Sequence, residues 1–122
     1  MLNQQIKKTI VNALMKVVDS APTRSNSQYK NLYTSGYSYQ PNMAYKQGYT
    51  EQYRVSNEKF KIWIDYVFSV LNIADQHIDS SISYSVRQKI QNIMALNSLD
   101  NTSKTIEICK IILDYARSII NM

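Results

Sequence analysis

Phe60-Lys61-Ile62-Trp63-Ile64-Asp65-Tyr66-Val67-Phe68-Ser69-Val70-Leu71-Asn72-Ile73 is the stretch that decides the fold class. Phe60, Trp63, Ile64, Val67 and Leu71 recur at the three- and four-residue steps of one helical face, and Ile62, Tyr66, Val70 and Ile73 make a second apolar face. The expected helix covers 57–75, and a helix apolar on two faces is expected at the centre of its domain. Upstream, Ile6, Ile10, Val11, Leu14, Val17 and Val18 share one face of a helix over 2–19, which Pro22 ends. Downstream, Asp79–Ser81 carries turn and cap chemistry, and Ser85 with Gln88 has capping-box spacing ahead of Ile90, Ile93 and Met94, giving a third helix over 82–96. Asn97, Ser98, Asp100, Asn101 and Thr102 form the next turn. A last amphipathic helix over 102–120 then carries Ile106, Cys109, Ile112, Leu113, Ala116 and Ile120.

The fold class is therefore mainly α, a four-helix core interrupted by a Tyr-rich insertion over 20–56. A chain of 122 residues that is 44% hydrophobic fits a single domain over 1–122. Two glycines, two prolines and one cysteine exclude collagen-like, disulfide-framework and zinc-ribbon classes. No run approaches the roughly 18 apolar residues of a membrane span. The start, with Lys7 and Lys8 before an apolar stretch, imitates a signal peptide, but Asn12 and Lys16 interrupt it. The expected location is the cytoplasm, which suits the lone Cys109 as a reduced thiol. The abundance of Ile, Asn and Lys is what an AT-rich coding sequence produces, and points to a bacterial or phage source.

The insertion sets the chain apart. Its 37 residues hold both glycines, both prolines and seven of the ten tyrosines, and Arg24, Lys30, Lys46 and Arg54 stand against Glu51 alone, +3 of the total +5. Residues 29–37 and 45–53 repeat as Y-K-x-x-Y-T-x-x-Y. On a strand, a four-residue spacing puts every tyrosine on one face; on a helix it gives a drifting stripe. A hairpin about Pro41-Asn42 would oppose Tyr37 to Tyr45, Tyr33 to Tyr49 and Tyr29 to Tyr53, whereas Gly36 and Gly48 weaken such strands. A β-hairpin, two short helices and an irregular lobe all remain open. A loop of this length is expected to have structure of its own or to be ordered by a partner.

Tyrosine offers a flat ring and a hydroxyl, and interleaved cations supply phosphate contacts, so the segment carries the ingredients of a nucleotide or single-strand surface. The competing reading packs the tyrosines over the core or into an oligomer interface. The candidate ligand-binding residues are Arg24, Tyr29, Tyr33, Tyr37, Tyr45, Tyr49, Tyr53, Arg54 and Arg87. Arg87 joins them because it stands among apolar positions, beside Tyr84 and Asn92, where a guanidinium can fork onto an anion and stack; the alternative is a snorkelling side chain.

Catalytic chemistry is thinly supplied. His77 in Asp75-Gln76-His77-Ile78-Asp79 has no second histidine, so a solvated helix end is expected rather than a metal site. Cys109 falls on an apolar stripe, where a buried inert thiol is expected. Neither glycine belongs to a phosphate loop. Asp65, Glu107 and Asp114 show no pairing signal and are expected on solvated faces or as partners of Arg87 and Arg117. The expectation is a binding protein, not an enzyme, with no metal and no cofactor.

Phe60-x-x-Trp63, Leu71, the Ser83–Arg87 stretch, Ile90, Ile93 and Ile112-Leu113-Asp114-Tyr115-Ala116 resemble the small helical module at the N-terminal end of bacterial anti-phage defence proteins. The resemblance covers about half of the chain, mostly at core positions. It implies an oligomerisation or ligand-sensing unit attached to an effector domain. This sequence departs from that plan: it ends at Met122 without an effector, and it has Asn72–His77 where a Gly-x-x-Ser turn belongs. A free-standing copy implies a role similar to phage-encoded sponges that sequester cyclic nucleotides, the Thoeris anti-defence type among them. The expected function is thus sequestration of an anionic nucleotide-like signalling ligand by a homo-oligomer. Two alternatives are a protein-protein inhibitor or adaptor acting through the Tyr-rich lobe, and an RNA or single-strand binder.

Overall fold

A computed structural model describes residues 3–23 and 55–122. Four helices occupy them: α1 (Gln4–Asp19), α2 (Asn57–Asp75), α3 (Ser80–Met94) and α4 (Asn101–Ile120). No strand occurs among the described residues. The hairpin or short helices expected within 20–56 fall mostly outside them.

Each helix begins where a short polar side chain accepts one of the backbone N–H groups that the first turn leaves without a partner. Asn3 accepts from the Ile6 amide at 2.8 Å, and Ser56 from the Lys59 amide at 3.1 Å. Asp79 accepts from the Ser81 amide and Asp100 from the Ser103 amide, both at 2.8 Å. The α3 cap corrects the expected start. Asp79 opens the helix at Ser80, two residues early, and Ser85 and Gln88 lie inside it, so their capping-box spacing is coincidental. The helix also stops at Met94, two residues short of the expected end.

The hydrogen bonds between elements set their directions. Lys7, near the start of α1, donates to the Met122 carbonyl just past the end of α4 at 2.9 Å, so these helices run antiparallel. The Trp63 indole N–H donates to the Val17 carbonyl at 2.9 Å, fastening the first turns of α2 to the last turn of α1. Lys104, near the start of α4, donates to the Met94 carbonyl at the end of α3 at 2.8 Å, and a cation there also complements the α3 dipole. The result is an up-down-up-down bundle.

The core is formed by Ile10, Leu14, Val17 and Val18 of α1, Trp63, Val67 and Leu71 of α2, Val86 and Ile90 of α3, and a long stripe of α4. Fully burying one such side chain contributes about 1.5–3 kcal/mol. The central helix is α4, not α2: Ile108, Cys109, Ile112, Ala116 and Ile119 are fully buried. On α2, by contrast, Ile62 is 64% exposed and Ile73 46%, so most of its second apolar face points to solvent. The α4 stripe itself is turned slightly from the expected one. Ile119 is buried where Ile120 was expected, because the heptad-like steps 105, 108, 109, 112, 116 and 119 select it. No helix among the described residues is long and apolar enough to cross a membrane.

Candidate functional site

Of the candidate ligand-binding residues, Arg24, Tyr29, Tyr33, Tyr37, Tyr45, Tyr49, Tyr53 and Arg54 lie outside the described residues. The bundle does define where their segment leaves and returns. Thr23 and Val55 are both buried, at 7% and 6% exposed. The Val55 N–H donates to the Thr102 hydroxyl at 3.0 Å, and the Asn101 side-chain amide donates to the Val55 carbonyl at 3.3 Å and to Asn57 Oδ1 at 2.7 Å. These bonds tie the second root to the first turn of α4. The first root follows the end of α1, which the antiparallel packing brings to the same end of the bundle.

Arg87 is the one candidate within the described residues, and it sits near the other end. Its Nη2 donates to Asn72 Oδ1 and to Asp75 Oδ2, both on α2. Its guanidinium carbon lies 5.7 Å from the Phe68 ring centroid, within cation–π range. The aromatic neighbour is thus Phe68 of α2 and not Tyr84, which is 63% exposed. Its carboxylate is Asp75, not Asp65, Glu107 or Asp114.

Polar groups of three helices gather around this contact. The Tyr115 hydroxyl lies 3.3 Å from Ser83 Oγ. Burial pushes the Tyr115 phenol above its ordinary value; the Ser83 hydrogen bond works against that, as does the Arg87 charge, while Asp75 adds to it. Asp75 Oδ1 is buried and accepts no hydrogen bond among the described residues. From Thr102 to Tyr115 is thirteen residues of α4, about 20 Å. The bundle therefore does not bring Arg87 beside the roots of the tyrosine segment.

Several other reactive groups have structural assignments. Asp79 caps α3, and its hydrogen bonds from the Ser81 hydroxyl and amide hold its carboxyl below the ordinary value. Cys109 is buried, and desolvation pushes its thiol far above the usual range. Asp114 pairs with Arg117 at 3.4 Å and Glu107 with Lys110 at 3.2 Å, both between helix neighbours. No cluster of three His, Cys, Asp or Glu side chains suited to a metal occurs among the described residues.

Sequence reasoning missed the Asp75–Arg87 contact. The two residues stand twelve apart across a turn, outside any helical i,i+4 relation, and only the packing of α3 on α2 joins them. Compared with known protein families, curated proteins and solved structures, the chain has no match.

Proposed function

We propose that this chain is a non-enzymatic binding protein that captures an anionic nucleotide-like ligand through its Tyr-rich basic segment, with the helical bundle as the carrier. The observation that carries the reading is the pairing of that segment's composition with its attachment. A repeat of tyrosines and cations, four basic residues against one acid, leaves and rejoins the bundle at one end through the buried roots Thr23 and Val55. Tyrosine faces stack on a base for about 1–3 kcal/mol each, and cations meet the phosphate. Tyr29, Tyr33, Tyr37, Tyr45, Tyr49 and Tyr53 are the stacking groups, and Arg24 and Arg54 the phosphate contacts. Arg87 takes the lesser part, since one of its nitrogens is already held by Asp75 and Asn72. Sequestration of a signalling nucleotide in the conflict between bacteria and phage, in the cytoplasm and as a homo-oligomer, belongs to the same proposal.

The test is calorimetric titration with a panel of mononucleotides and cyclic dinucleotides. Tyr33→Ala and Arg54→Ala are each expected to weaken uptake about tenfold or more while leaving the helical circular dichroism unchanged. Normal binding by both variants would remove the segment from the account. A steep fall of affinity with salt would point instead to RNA or single-stranded DNA, because a polymer releases counterions on binding.

A second reading, a protein-protein inhibitor or adaptor, has one observation in its favour. Ile62, Tyr66 and Ile73, 64%, 37% and 46% exposed, follow one another along α2 at helical steps. Such a stripe is an ordinary feature of a docking face. A co-purifying protein with no nucleotide would favour this reading.

A further inference from the structure

A groove of about 420 Å³ runs between α3 and α4, separate from the tyrosine segment's roots. Ser81, Ser85 and Lys89 form its α3 wall. Their four-residue spacing stacks them on one stripe about 12 Å long. Its α4 wall carries Ile111, Asp114 and Ser118, again one helical stripe. Val86 and Tyr115, both buried, supply an apolar floor.

The charges on the two walls are opposite and weakly engaged. Lys89 is exposed and has no ion pair among the described residues. Asp114 meets only its helix neighbour Arg117, at 3.4 Å, and its side chain is 76% exposed. The Ser81 hydroxyl donates to Asp79 at 2.7 Å and the Ser118 hydroxyl to the Tyr115 carbonyl at 2.9 Å, so both oxygens keep acceptor capacity. Because α3 and α4 run antiparallel, Lys89 lies toward the Ile111 end, Ser81 toward the Ser118 end, and Asp114 between.

We propose that this groove binds a small linear zwitterion, an ω-amino acid type of molecule. Its carboxylate meets Lys89, its ammonium meets Asp114, and its aliphatic spacer lies on Val86 and Ile111. A simple anion would face the Asp114 carboxylate and a simple cation the Lys89 ammonium, so a molecule with both charges fits where either alone is opposed. The inference does not rest on the nucleotide reading, since it uses no residue of 20–56.

The test is an NMR titration of the full chain, following backbone amides, with ε-aminocaproate as probe and caproate and hexylammonium as single-charge controls. Shifts confined to residues 81–89 and 111–118 are expected with ε-aminocaproate. Lys89→Ala and Asp114→Asn are each expected to weaken it about fivefold, the value of one solvent-facing ion pair, and the single-charge controls by about as much. Both positions are exposed, so the variants keep the fold, and the controls test the wild-type chain directly. Absence of those shifts, or equal binding of caproate or hexylammonium, would overturn the proposal.

Discussion

Arg87 joins two helices through a single nitrogen, Nη2, which meets both Asn72 and Asp75. Removing it leaves Asp75 with two oxygens poorly satisfied, one of them already buried without a partner among the described residues. Arg87→Ala is therefore expected to cost about 1–3 kcal/mol in urea denaturation. In a double-mutant cycle with Asp75→Asn the two losses should add to less than their sum. Additive losses would mean that the pair does not hold α2 to α3. The same neighbourhood gives a pH dependence. The Tyr115 phenol is raised in the folded chain, so its contribution to stability is fully present below the ordinary tyrosine range and is lost as pH rises beyond it. Thermal unfolding at alkaline pH should show this decline, and Tyr115→Phe should reduce it. Arg87 was visible in the sequence as an unusual residue, but its partner was not, since periodicity reports which face a residue occupies and not what the next helix places opposite.

The helices differ in how far local pattern determined them. In α1 one apolar face is written clearly: Ile10, Val11, Leu14, Val17 and Val18 are buried as the spacing selects, while Ile6 is half-buried and Met15, outside the expected set, is buried as well. In α3 two cap signals, Asp79 and Ser85, compete six residues apart, and the carboxylate of Asp79 takes the helix start because it precedes the turn that buries Ser83 and Val86. In α2 and α4 the question is which helix is central, and hydrophobicity alone misleads. An α2 apolar on two faces leaves Ile62 and Ile73 exposed, whereas α4, interspersed with Lys and Glu, is packed by the other three helices. Ile112→Ala should accordingly cost about 2–5 kcal/mol, as deletion of a fully buried side chain does. Ile62→Ala should stay within about 0.5 kcal/mol. Comparable losses in chemical denaturation would restore α2 to the centre and make its stripe a core face.

At the scale of the molecule, the bundle gathers the end of α1 and the starts of α2 and α4 at one end, and from that end the Tyr-rich segment departs and returns. The charge follows the same division: the described residues carry ten cations against eight carboxylates, +2, while 24–54 carries four against one, +3. Under the proposed function, the anionic ligand is drawn to the smaller part of the chain that holds more of the net charge. The four helices were legible because each has its own apolar period. The proposed site was legible only as a composition, since a tyrosine spacing of four satisfies strand and helix alike. Native mass spectrometry of the gently purified protein reads oligomer mass and retained small molecules together, and so probes ligand capture at its source. The expected result is an oligomer carrying a nucleotide-sized mass increment at near-stoichiometric occupancy; an oligomer or monomer with no added mass, or a protein co-purifying in place of a nucleotide, would overturn the proposal of ligand capture.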